Sequence, residues 1–301
     1  MNPNAIVFLV AVFVTQAVSL GQQDGSAVSQ SDATPQATAD PSESLEINDA
    51  REKSKERLDI LKQAAATYDV CVGRSRDTRA VLRPEPLLRW TNEIHYSLDG
   101  ATFLWTVDGR PLVIACMYST TDVEDFVMLD HEFQSLATGR INACRRGKVV
   151  WFPDKPGLAM KPFPNAPAPA GTATLRLVQM RRLASRLTAI AFARRLGGKD
   201  QWRLRLMPQP LHRYGDGDTA AIDGGLFVFT HGTDPDVVVV FEASNGESGP
   251  MWNYGLARMC SLPLQVRLGE QVIWDAPLVP AAAPPNPTET YVTFYRNPIA
   301  D

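Results

Sequence analysis

A chain of 301 residues, 45% of them hydrophobic and 21% charged, has an ordinary globular composition, enough for one large core or two small ones. Its formal net charge of −3 excludes a global field that would draw it to nucleic acid.

Ala5 to Val14 (AIVFLVAVFV) is an apolar run followed by small and polar residues. The run matches a signal-peptide core and falls short of the roughly 20 residues a spanning helix needs. Cleavage after Ser19 or Gly21 satisfies the small-residue rule. The opening MNPNA carries no Lys or Arg, so an uncleaved anchor is the alternative. Residues 1–21 are therefore expected to export the chain to the periplasm or the extracellular space, and no later segment is apolar enough to span a bilayer after cleavage. Residues 22–44 contain no aromatic residue and are rich in Gln, Ser, Asp, Ala, Thr and Pro. Such a stretch buries too little to offset its chain entropy and is expected as a disordered leader.

The rest of the chain resembles itself. Pro84-Glu-Pro-Leu-Leu-Arg-Trp90 and Pro208-Gln-Pro-Leu-His-Arg-Tyr214 both read Pro-x-Pro-Leu-x-Arg-aromatic, 124 positions apart. The same offset carries Asp99-Gly100 onto Asp223-Gly224, FLWTV from Phe103 onto the stretch from Phe227, and Leu112–Ser119 close to Val237–Ser244. The turn Asp108-Gly-Arg-Pro111 falls on His231–Pro235, and Gly147–Trp151 answers Gly269–Trp274. Helical patterns precede both copies, Leu45 to Tyr68 and Thr174 to Arg195. Alternating segments such as Trp202–Leu206 and Leu264–Leu268 predict half-buried strands, and Val237–Phe241 a central strand covered on both faces. The expectation is an α+β fold of two duplicated modules, each a helix packed on a mainly antiparallel sheet of about five strands. Their bounds are 45–160 and 174–275, with a Pro/Ala linker at 161–173 and a Pro-rich tail at 276–301.

Features shared by both copies are expected to serve folding, with Arg89 and Arg213 bonding across their neighbours and Trp90 and Tyr214 supplying buried area. The alternative is a symmetric pair of anion clamps built on those arginines. The histidines His95, His131, His212 and His231 lie in no ligand motif. Asp216, Asp218 and Asp223 lack the ligand spacing of a calcium loop. Neither a metal nor a cofactor is expected. Cys71, Cys116, Cys144 and Cys260 allow three complete pairings in an oxidising compartment. Arg145, Arg146 and Lys148 beside Cys144 favour its thiolate, so His131, Glu132 and Cys144 are the candidates for catalysis.

Between Arg176 and Arg205 stand nine Lys or Arg and a single acid, Asp200. Arg182 and Arg186 share a helical face. These residues either pair with the facing sheet and solvent or meet an anionic envelope polymer or lipid surface. Only Phe192 and Trp202 fall among these basic residues, too few of the interleaved stacking aromatics that single-stranded nucleic acid requires.

The stretches LLRWTN, DGATFLWTVDGRPLVIACMYS, HEFQSLA, LRLMPQPLHRY and DGGLFVFTHGTDPDVVVVFEA, within Pro84 to Pro277, resemble uncharacterised exported proteins of planctomycete-type bacteria. That resemblance implies an extracytoplasmic bacterial protein and carries no activity with it. The expected function is a non-catalytic binding or structural protein of the bacterial envelope, leaning away from an enzyme. The alternative is a hydrolase acting on an envelope or polymer substrate.

Overall fold

The computed structural model describes residues 41–73, 78–92, 97–121, 127–193, 200–215, 221–247, 249–280 and 284–298. The expected export signal, the expected leader up to residue 40, His95, Asp216 and Asp218 lie outside the described residues. By its contacts the chain divides into Met1–Leu45 and Glu46–Asp301, and the second unit carries every described strand.

The first half opens with α1 (Pro41–Ala66), β1 (Tyr68–Val72) and the short β2 (Thr78–Arg79) and β3 (Val81–Leu82). Next come β4 (Leu88–Asn92) and three long strands, β5 (Ser97–Val107), β6 (Arg110–Thr121) and β7 (Val127–Ser135). It closes with β8 (Ile141–Arg145) and β9 (Lys148–Trp151), and β10 (Lys161–Pro162) lies in the connection. The second half runs α2 (Ala173–Ala184), β11 (Leu187–Ala193), β12 (Asp200–Leu206), β13 (His212–Gly215), β14 (Ala221–Thr230) and β15 (Pro235–Gly246). It continues with β16 (Gly249–Arg258), β17 (Leu264–Leu268), β18 (Gln271–Ala276) and β19 (Tyr291–Pro298).

The second half forms one nine-stranded sheet in the order β10-β16-β15-β14-β12-β11-β17-β18, with β13 on β14. The first half has the same order divided in two, β9-β8-β1-β2 and β3-β5-β6-β7-β19, with β4 on β5. Registers agree across the halves. Val81 faces Thr106 as Arg205 faces Thr230, and Trp90 faces Gly100 as Tyr214 faces Gly224.

The α+β expectation is overturned. The described residues are mostly β, 55% of them in strands, with a curled half-barrel sheet, and α1 and α2 are the two helices among them. Two physical reasons account for the error. The helical pattern carried through to Arg195 stops at Ser185, and Leu187–Ala193 alternates buried and half-buried positions as a strand does. A run such as Leu112–Met117 is buried on both faces, so no alternation marks it, and the expected count of five strands per module was low. What α2 keeps is well specified. Thr172 caps it by accepting the Leu175 amide, and Arg181 and Arg182 sit in the last turn, where cations suit the helix dipole.

Alternation along the central strands feeds three cores. Phe103, Trp105, Val113, Ala115 and Met117 join Leu61 and Ala65 of α1 on one side. Phe227, Phe229, Val237, Val239 and Phe241 join Met180 and Leu183 of α2 on another. The intervening residues, Leu104 and Ile114 from the first half and Leu226, Val228, Val238 and Val240 from the second, pack together. The two sheets therefore share a third core between them, and Val237–Phe241 is buried on both faces.

Candidate functional site

The paired arginines of the repeated motif are framework. Arg89 forks Asp99, Nε to Oδ1 at 3.0 Å and Nη2 to Oδ2 at 2.5 Å, and Nη2 also donates to the Ser54 carbonyl of α1 at 2.5 Å. Arg213 forks Asp223 in the same way, at 3.0 and 2.6 Å, and donates to the Ala173 carbonyl of α2. A helix arginine completes each cluster: Arg57 on Asp99 at 3.1 Å and Arg176 on Asp223 at 2.8 Å. These charges are spent on tying helix to sheet.

The catalytic candidates are not brought together. His131 and Glu132 are neighbours on β7 and leave it on opposite faces. His131 is fully buried beside Tyr68, whose hydroxyl lies 2.6 Å from Nδ1. Burial pushes its pKa down to about 3, with the Arg145 charge adding to the shift, so it stays neutral. Cys144 sits on β8 beside Asn142. Arg145 does not turn toward the thiol; it bonds the Thr67 hydroxyl and lies over the Tyr68 ring. His212 braces the halves, 2.7 Å from the Gly109 carbonyl and 3.2 Å from Arg83, and His231 stacks on Trp202. Each of the four cysteines is a thiol outside any disulfide.

Of the proposed binding arginines of the basic segment, Arg186 donates to the Pro164 and Asn165 carbonyls and lies over Phe163. Arg182 is exposed and, with Arg181 and Ser185, borders a surface groove of about 430 Å³.

Where the halves meet lies a cavity of about 240 Å³ walled by Asp130, Glu132, Asp234, Asp236, Trp90 and Tyr118. Its construction follows from strand alternation. Asp130 and Glu132 are two apart on β7 and share a face, opposite Tyr118 and Cys116 of β6. Asp234 and Asp236 flank Pro235, where the hairpin from the second half enters β15. Asn92 of β4 donates to Asp234 at 2.7 Å and fastens that hairpin to the first half.

Glu132 is 8% exposed, and one of its oxygens accepts the Tyr291 hydroxyl. Burial drives its carboxyl up to about 8, against the Tyr291 bond and with Asp234 and Asp236 adding to the rise. Asp236, which accepts the His231 amide at 2.5 Å, is driven up to about 7, again mainly by burial. Cys116 and Cys260 also line the cavity, and burial raises both thiols well above their usual range. Among the described residues, no group of His, Cys, Asp and Glu has the arrangement of a metal centre.

As a candidate for chemistry, Glu132 alone was singled out from this wall by the sequence, which offered Trp90 as buried area and Cys116 and Cys260 as possible disulfide partners. The signal for the rest was a period of two in the acids, Asp130-x-Glu132 and Asp234-Pro-Asp236, in segments otherwise apolar enough for a core. Comparison with known families, with curated proteins and with solved structures gives no match.

Proposed function

We propose that this is a non-catalytic binding protein of the bacterial envelope that holds a small ligand between its two halves. The observation that carries the reading is the cavity itself, assembled from β4, β6 and β7 of one half and the hairpin and β16 end of the other. Four buried or half-buried carboxyls on one small wall are costly to a fold and are not needed to join two sheets that already share an apolar core. Export in this reading rests on the Ala5–Val14 run. Attachment to an anionic envelope polymer or lipid surface falls to the exposed Arg181 and Arg182.

The test is ligand-blind. Small-molecule extract from a bacterial envelope fraction is added to the wild type and to Ser261→Trp, which fills the cavity, and thermal unfolding is followed. A rise in Tm for the wild type alone, with the ligand recovered unchanged by mass spectrometry, supports the reading. Equal shifts in both proteins, or none in either, remove the cavity as the ligand site.

A further inference from the structure

The two halves push their hairpin tips toward each other, and the two meeting places are finished differently. By the 124-residue offset, Arg110 is the counterpart of Asp234, Glu242 of Tyr118, and Tyr214 of Trp90. The ladders agree, because Gly100 faces Trp90 and Tyr118 while Gly224 faces Tyr214 and Glu242. In the second half the place is filled from within. Arg110 reaches in from the first hairpin, Nε donating to Glu242 Oε2 at 2.9 Å, and the Tyr214 hydroxyl donates to the same oxygen at 3.0 Å. The protein thus shows a guanidinium seated on a carboxylate beside an aromatic residue.

In the first half the incoming tip carries Asp234 where the other carries Arg110. The wall gains Asp130 and Glu132 from β7 and Asp236 from β15, and among the described residues it includes no Lys, Arg or His. Glu132 is more than nine-tenths buried, yet among the described residues only one of its oxygens accepts a hydrogen bond, from Tyr291. The nearby cation, Arg258, has its guanidinium over Tyr291 and gives its nitrogens to the carbonyls of Cys260, Leu262 and Pro277 at 2.6 to 2.9 Å.

We infer that the cavity binds a small organic cation bearing a guanidinium or primary ammonium group, the external equivalent of Arg110. This rests on the binding reading above and names its ligand class. A guanidinium matches carboxylates with two parallel hydrogen bonds, and the Trp90 and Tyr118 rings offer a cation a favourable face. The groups facing the bound cation are Asp130, Glu132, Tyr118 and Cys116 from the first half and Asp234, Asp236 and Cys260 from the second, with Tyr291 and Arg258 behind Glu132. A cation favours the ionised carboxyls, so binding expels protons from Glu132 and Asp236 and tightens as pH rises from 6 to 8.5.

The experiment is calorimetric titration with methylguanidine and with its neutral isostere methylurea, in two buffers of different ionisation enthalpy. Methylguanidine is expected to bind one per chain with proton release, and methylurea more weakly by at least about tenfold. Asp234→Arg, a change at the half-buried hairpin tip that copies Arg110, is expected to abolish methylguanidine binding in a folded protein. Equal binding of methylurea, methylguanidine binding that survives Asp234→Arg, or tighter binding of magnesium or calcium overturns the cation assignment. Should neither probe bind while the envelope extract still stabilises the wild type and not Ser261→Trp, the ligand class falls and the binding reading stands. Failure of the extract as well removes both.

Discussion

Glu132 and His131 differ by one position and titrate in opposite directions, which makes stability depend on pH in a definite way. The Glu132 carboxyl is held near 8 and that of Asp236 near 7, against ordinary values of 4.5 and 3.8. Between those limits the folded chain holds more protons than the unfolded one. Their contribution is complete below the unfolded values and is lost as pH rises through the folded ones. His131, lowered from 6.5 to about 3, does the reverse, and its contribution grows with pH up to its unfolded value. Of these three groups only the two carboxyls remain in play above pH 6.5, and their contribution falls as pH rises. Urea midpoints at pH 6.5, 7.5 and 8.5 are expected to decline for the wild type and to decline less for Glu132→Gln, which keeps the shape of the neutral acid. Parallel declines would show that Glu132 does not ionise in a buried place.

At the scale of elements, the tightest constraint is the crossing of β4 on β5 and of β13 on β14. A Cβ on Gly224 would lie 2.2 Å from the Tyr214 ring, and one on Gly100 would lie 2.5 Å from the Trp90 indole. Each glycine is the floor on which the repeated aromatic lies. Gly224→Ala has to lift Tyr214 off its bond to Glu242 and is expected to cost about 1–3 kcal/mol, the usual range for overpacking. Adding Tyr214→Ala to Gly224→Ala should make the two costs non-additive, because the second change removes the clash made by the first. Additive losses in a double-mutant cycle of denaturation free energies would place the strain elsewhere.

At the scale of the whole molecule, the halves depend on each other through the core that contains Leu104, Ile114, Leu226, Val228, Val238 and Val240. Strand β19 adds a second dependence, because it leaves the second half and pairs with the β7 edge of the first. The Trp151 indole bond to the Glu289 carbonyl, at 2.7 Å, fastens the segment before it. Unfolding of the intact chain is therefore expected as one transition for both halves, read by calorimetry. Ending the chain at residue 285 leaves the backbone edge of β7 without its partner strand and is expected to give association or aggregation in light scattering. A monomeric, equally stable truncated protein would show that β19 is dispensable.

The sequence by itself determined the repeat register, the buried character of Val237–Phe241 and the turn positions, because these depend on residues close along the chain. Asp108 and Gly109 are such a case. Both adopt positive φ, 49° and 77°, at the hairpin between β5 and β6, where the Asp-Gly pair signals a tight turn. Tertiary structure decided the rest. Leu187–Ala193 has apolar residues consistent with either period, and only its pairing with β12 and β17 makes it a strand. The separation of His131 from Glu132 follows once β7 is known to be a strand. The cavity needed more: Asp130 and Glu132 meet Asp234 and Asp236 across about a hundred residues, and no local pattern reports which distant strand will bring its own carboxyls to the same wall.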